Sequence, residues 1–348
     1  MGRRSPPHMP LYAYAGLTLS STDPLPGLEA LNDEAGDVIP DFVFCPLETP
    51  PPEPAAADWV HHWRTAADDL TLSLARTGQG FFLRFPSLAD FVVSADGRQI
   101  EGWRAPDANE ATLHHLLLDQ ALPRCLSHQG RVVLHASAVS MDGRAVAFAA
   151  ETGLGKSTLA ASLHRSGSPL LTDDGLVVAS GASDTSGTSA LPLCSGLRLY
   201  PASAATLFPE SPPGETMAHY SDKARVDVVR DGAVERLELA AVFILAPPPA
   251  ERGGCPVEVE PLSQRDACIE IIRHSFQLDV SDTDRAARLL DEAAEVARNV
   301  PVFSLTYPRD FSCLPAVHAS ILEKVQGGTA PPQASSDIGG TPGTRDEA

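Results

Sequence analysis

The apolar run Arg144-Ala-Val-Ala-Phe-Ala149, the octet Ala150-Glu151-Thr152-Gly153-Leu154-Gly155-Lys156-Ser157 and the helix-forming stretch that follows to Arg165 constrain this chain more than any other feature. A strand this apolar belongs in a sheet covered on both faces, since a solvated face would show alternating polar residues. The octet follows the P-loop pattern G-x-x-x-x-G-K-[ST] except at its first position, where Ala150 stands. In that pattern the loop amides and the helix N-terminus surround phosphate oxygens, the lysine reaches the β- and γ-phosphates, and the serine ligates Mg²⁺. Buried strand, loop and amphipathic helix, with Leu159 and Leu163 on one face and Gly167 as the stop, are the context the motif demands. Ala150 costs about 1 kcal/mol if its position needs a positive φ, and almost nothing otherwise. The plain alternative is a glycine-rich turn before a helix, without a ligand.

Lysine usage strengthens the phosphate reading. The 26 basic residues include only three lysines, Lys156, Lys223 and Lys324. A chain that otherwise uses arginine keeps lysine where a compact ammonium is needed. The net charge of −19 opposes any extended contact with nucleic acid or an anionic membrane, while leaving room for one locally positive nucleotide pocket. Apolar runs such as Leu239 to Pro247 fall far short of the ~20 residues a bilayer requires, and no signal-type apolar core follows Met1. The expected location is the cytoplasm. The six cysteines, Cys45, Cys125, Cys194, Cys255, Cys268 and Cys313, are widely spaced and read as free thiols.

The expected fold is α/β, in two domains and a tail. Residues 1–108 read as a small β-rich accessory domain, with period-two runs at Leu11–Leu19, Asp37–Phe44, Leu70–Leu74, Phe81–Phe85 and Phe91–Ser94 and a hairpin turn at Ala95–Arg98. Residues 109–326 read as the nucleotide domain, led by a helix that Asn109 caps. Its strands are expected at Arg131–Val139, Arg144–Ala149, Pro169–Thr172, Gly175–Ala179, Gly196–Tyr200, Arg225–Val229, Arg236–Leu245 and Val302–Thr306. Its later helices are expected at Arg265–His274, Asp284–Arg298 and Phe311–Val325. Ser180–Ser189 reads as a mobile loop, and residues 327–348 as too polar and too rich in Gly and Pro to fold.

Three further groups bear on chemistry. His135 stands 21 residues before Lys156, and the pair Asp173-Asp174 begins 17 residues after it. Lys223 and Arg225 lie in a polar loop before a strand and, like Arg198, are candidates for a phosphate or an anionic substrate, or else are surface charges. Tyr307-Pro308-Arg309-Asp310 reads as a turn leading into a helix rather than as part of a site.

Leu134-His135-Ala136, the loop Glu151 to Ser157, and Leu170-Leu171-Thr172-Asp173-Asp174 together resemble the bacterial HPr kinase/phosphorylase family, P-loop kinases related in fold to phosphoenolpyruvate carboxykinase. The resemblance is good over residues 131–179. Beyond, Val300 to Leu305 is similar to divergent relatives that include kinases acting on a serine of a lasso peptide. The family's Glu-x-Arg-Gly signature is absent, Ser195-Gly196-Leu197-Arg198 standing in its place, and the amino-terminal half is unlike that enzyme's. The resemblance implies ATP and Mg²⁺ as cofactors, held by Glu151, Thr152, Gly153, Leu154, Gly155, Lys156, Ser157 and Thr158, with Ser157 and Asp174 on the metal. It also implies Asp173 as general base, and Asp174 on Mg²⁺ or holding His135. The acceptor would be a hydroxyl of a peptide, protein or small molecule, and homo-oligomers occur among the relatives. The competing expectations are a nucleotide-binding regulatory module without chemistry, and a phosphorylase or hydrolase using the same site.

Overall fold

The computed structural model describes residues 9–31, 38–65, 67–180, 187–193, 196–210, 216–218, 221–226, 236–249 and 254–327. They build a mixed α/β structure. The first eight strands, β1 (Leu11–Tyr14), β2 (Leu17–Ser21), β3 (Phe42–Leu47), β4 (Trp59–Arg64), β5 (Leu70–Thr77), β6 (Gly80–Phe85), β7 (Ala89–Ser94) and β8 (Gln99–Arg104), form one sheet in the order β1-β2-β3-β8-β7-β6-β5-β4. Leu11–Leu19, expected as one strand, is a hairpin, because Ala15 and Gly16 turn the chain with φ of 52° and 71°. The Ala95–Arg98 turn joins β7 to antiparallel β8 as expected. Asp37 lies outside the described residues, and β4 carried no clear signal in the sequence.

Next come α1 (Glu110–Leu116), a π-helical segment Leu117–Ala121, and α2 (Leu122–His128). Asn109 Oδ1 accepts a hydrogen bond from Thr112 N at 2.9 Å, the predicted cap. Tyr14 Oη donates to the Leu118 carbonyl at 2.8 Å, tying the first sheet to the π segment. Leu19, Phe44, Leu74 and Phe91 of the sheet share a core with Leu113, Leu117 and Leu126, and this core continues into Val133, Val177, Leu191 and Phe276.

The remaining elements are β9 (Val132–Leu134), β10 (Ala136–Met141), β11 (Arg144–Ala149), α3 (Lys156–Arg165), β12 (Leu170–Thr172), β13 (Leu176–Ala179), β14 (Ser189–Pro192), β15 (Leu197–Leu199), α4 (Pro201–Leu207), β16 (Thr216–Ala218), β17 (Ser221–Val226), β18 (Leu237–Leu245), β19 (Glu258–Pro261), α5 (Gln264–Arg273), α6 (Thr283–Asn299), β20 (Val302–Thr306) and α7 (Leu314–Gln326). A nine-stranded sheet runs β12-β10-β11-β18-β14-β13-β9, with β20 added to β18 and β19 to β20, and β15-β17-β16 form a third sheet. Strands β11, β18 and β20 are parallel. Alternate residues of β11 enter two cores: Val146 and Phe148 meet Leu159 of α3 and Val317 of α7, while Ala145, Ala147 and Ala149 meet Ile271 of α5 and Leu289 of α6. Both faces are covered, as the apolar run predicts. Burial of Phe148 alone contributes about 1.5–3 kcal/mol.

Several expectations need correcting. The predicted strand Arg131–Val139 breaks at His135, whose backbone N–H donates to the His274 carbonyl at 2.8 Å; β9 then pairs with β13, and β10 with β11 and β12. Lys223 and Arg225 lie within β17 rather than in a loop before it. Cys255 and Cys313 are not free thiols but form a disulfide, with Cα atoms 5.1 Å apart across 58 residues of sequence. A pairing so distant leaves no spacing pattern to read. Cys45, Cys125 and Cys268 are free, and Cys194 lies outside the described residues. So do residues 181–186 of the expected mobile loop, 227–229 of an expected strand, and 328–348 of the tail. No described helix is long and apolar enough to cross a membrane.

Candidate functional site

The loop between β11 and α3 opens at the carboxyl ends of the parallel strands, where ligands of α/β sheets commonly bind. Gly153 and Gly155 have φ of 89° and 92°, a region that costs an ordinary L-residue roughly 1–2 kcal/mol. Ala150 is not among the residues with positive φ and is 1% exposed in the core beside Phe148, so its departure from the motif carries no backbone strain. Lys156 opens α3 and is 5% exposed; Nζ donates to the Ala150 carbonyl at 2.9 Å, and burial lowers its pKa. The Ser157 hydroxyl, also buried, has no hydrogen-bond partner among the described residues.

A cavity of about 700 Å³ lies against this loop, within the range of small-molecule sites. Thr152, Gly153, Gly155, Lys156, Ser157 and Thr158 line it, whereas Glu151 is exposed and Leu154 packs on the core. His135, Asp174, Arg198 and Lys223 line it as well, with Asp119 and with Thr65 from the end of β4, and so do Tyr307, Arg309 and Phe311. Arg225 does not line the cavity; its guanidinium lies beside Gly27 and Gly196.

The two adjacent carboxylates face different surroundings. Asp173 is 1% exposed and lies behind the cavity wall, its Oδ1 accepting from Ser137 Oγ at 2.6 Å and its Oδ2 from the Arg198 backbone N–H at 3.1 Å. Burial raises its pKa, and the Asp174 charge adds to the rise. Asp174 takes a φ of 74°, a left-handed conformation that Asp tolerates better than most residues, and its side chain reaches the cavity. Burial works to raise its pKa too, but Arg198, His135, Lys223 and Lys156 outweigh that and hold it well below the usual carboxylate range. The geometry therefore gives the cavity-facing place to Asp174, not Asp173. His135, at the break between β9 and β10, sets Nδ1 3.2 Å from the Asp174 carbonyl and its ring edge-on to Phe276. Burial, with Lys156 nearby, lowers its pKa to about 4, so the imidazole is neutral at pH 7.

Arg198 is not a surface residue. It is buried on β15 and bonds Asp119 with both terminal nitrogens, at 2.6 and 2.7 Å, while Nη1 lies 3.5 Å from Asp174 Oδ2. His115 Nδ1 lies 2.7 Å from Asp119 Oδ2. Burial would lower the Arg198 pKa, but Asp119 and Asp174 raise it on balance, so the guanidinium stays charged. Asp119 comes from the π segment, a distortion often found where helices serve a site. His115 and Asp119 are four residues apart, and that spacing was the one available signal for them.

The segment after β20, expected as a plain turn, also lines the cavity. The Arg309 guanidinium stacks on the Tyr307 ring with 4.0 Å to the centroid and donates to the Ala246 and Tyr307 carbonyls at 2.6 and 3.0 Å. Its buried Nε has no partner, and burial lowers its pKa. Nothing in the local sequence marked Tyr307 or Arg309, because strand order alone brings them beside Gly155.

Neither a protein-family profile nor a curated protein sequence matches this chain. Among solved structures, the HPr(Ser) kinase/phosphatase of Coxiella burnetii is similar at 13% identity and a TM-score of 0.29, over 56% of this chain and 97% of that one. A likeness that loose does not bear on function.

Proposed function

We propose that this chain is an ATP-dependent kinase that transfers a γ-phosphoryl group to a hydroxyl, the serine of a peptide or protein being the leading acceptor. The observation that carries this reading is that one cavity is lined both by the glycine loop with Lys156 and Ser157 and by an ionised carboxylate, Asp174, among cationic side chains. Phosphoryl transfer requires that juxtaposition of charge neutralisation and a group that orients the attacking hydroxyl.

In this reading the loop amides, Lys156 and Lys223 hold the phosphates, and Asp174 accepts the hydrogen bond, then the proton, of the acceptor hydroxyl. Asp173, raised in pKa and bonded to Ser137 and the Arg198 backbone, fixes the turn that aims Asp174. An unengaged hydroxyl on Ser157 and the carboxylate of Asp174 are hard oxygen donors of the type Mg²⁺ takes, and that ion would neutralise phosphate charge when bound. The nucleoside end lies against Tyr307, Arg309 and Phe311, leaving the Asp174 side, with Thr65 from the first sheet, to the acceptor.

The test is incubation with γ-labelled ATP, Mg²⁺ and candidate peptides or alcohols, comparing wild type with Asp174→Asn and Asp173→Asn. Asp174→Asn should abolish label transfer while retaining nucleotide binding. If Asp173→Asn abolishes transfer and Asp174→Asn merely shifts the Mg²⁺ requirement, the base is Asp173, as the family resemblance implies. Nucleotide binding with neither transfer nor release of labelled phosphate would replace the kinase by a regulatory binding module. Release of phosphate without an acceptor would indicate a hydrolase.

A further inference from the structure

A second convergence of side chains lies apart from the cavity, where the turn after β2 meets the first turn of α1. Asp23, Glu110 and His114 each bring one ligand-type atom to a common point, all within 4.8 Å of one another. Glu110 Oε1 lies 3.9 Å from His114 Nε2. His114 is 6% exposed, and its Nε2 is buried without a hydrogen-bond partner. A buried polar atom left unpaired costs about 1–3 kcal/mol. Here that atom is aimed at two carboxylates, and no lysine or arginine among the described residues pairs with either of them.

We propose that Asp23, Glu110 and His114 bind a divalent transition-metal ion of the zinc type, at a site separate from the cavity. One imidazole nitrogen and two carboxylate oxygens, with a further position open to water, form a mixed N/O set that zinc accepts. Magnesium and calcium would call for more oxygens and no nitrogen. Metal–ligand bonds of about 2.0–2.2 Å set tetrahedral ligand atoms roughly 3.3 Å apart, so the three groups close by up to about 1.5 Å around the ion.

The supports for that closure are already built. Asp23 sits in a turn fixed by Ser21, whose Oγ accepts from the Asp23 N–H at 3.1 Å and donates to its carbonyl at 2.8 Å. Glu110 and His114 are one turn apart on a helix whose start Asn109 caps. Glu110, with its side chain 68% exposed, is free to swing inward. A bound ion would pin the start of α1 to the first sheet, and the same helix leads on to His115 and Asp119 at the cavity.

The experiment uses the untagged full-length chain, stripped with chelator, with accessible thiols alkylated and no nucleotide present. Calorimetric titration with Zn²⁺ and the visible absorption of Co²⁺ are recorded for wild type, Glu110→Gln, Asp23→Asn, His114→Gln and Asp174→Asn. The expected result is one site per chain, weakened at least tenfold in each of the first three variants and unchanged in Asp174→Asn, with the thermal midpoint rising on Zn²⁺ addition in wild type and Asp174→Asn but not in the other three. Glu110→Gln alters an exposed side chain, so its result does not depend on a folding defect. The proposal fails if wild type binds no Zn²⁺, if affinity is the same in Glu110→Gln and Asp23→Asn, or if the site is lost in Asp174→Asn.

Discussion

Asp119→Asn probes the electrostatic frame on which the cavity wall depends. The Arg198 and Asp119 side chains are 6% and 8% exposed and meet through two short bonds. The substitution keeps the size and one acceptor oxygen while removing the charge and presenting an amide N–H to a guanidinium. Removing one partner of a buried pair costs about 3–5 kcal/mol, because the other charge stays in a low-dielectric setting. Asp174, 3.5 Å from Arg198 Nη1, retains part of the compensation, which brings the expected loss to about 3 kcal/mol. In urea unfolding, with m near about 3 kcal/mol/M, the midpoint falls by about 1 M at unchanged m. Arg198→Gln and the double variant complete a cycle with a coupling of at least about 1.5 kcal/mol. A midpoint shift under about 0.3 M, with no coupling, would refute the argument that this pair holds the wall.

Three other outcomes follow from the same structure. His135 and His274 both have pKa values lowered to about 4 by burial, with Lys156 nearby, so between about pH 6.5 and 4 the unfolded chain binds more protons than the folded one. Stability is therefore full above pH 6.5 and falls as pH drops through that window, by up to roughly 3 kcal/mol for each histidine, and His274→Gln should flatten the urea-midpoint profile there. Ala150→Gly, which restores the motif's glycine, should lower stability by about 0.5–1 kcal/mol and leave nucleotide affinity unchanged, because Ala150 needs no positive φ and its methyl group is buried. Peptide mapping without reductant should recover the Cys255 and Cys313 peptides linked; finding both as free thiols in the freshly isolated protein would refute the pairing.

Local patterns in the chain determined the elements around the loop. An apolar six-residue run, glycines at two positions of left-handed backbone, a lysine where arginine is the habit, and a capping Asn109 are all settled by interactions within a few residues, so their outcome can be read without knowing the partner surfaces. The link between His135, Lys156 and Asp173-Asp174 came only from the family resemblance of their separations, and three of those four residues line the cavity. Tertiary structure alone decided which carboxylate faces inward, since that choice rests on the positive φ of Asp174 and on Ser137 and the Arg198 backbone holding its neighbour. It alone brought Asp119 to Arg198 across 79 residues, Arg309 to the loop, and Cys255 to Cys313. These contacts join segments with no shared periodicity. Their energies come from burial and desolvation of charge, which exist only once the sheets and helices have closed around them.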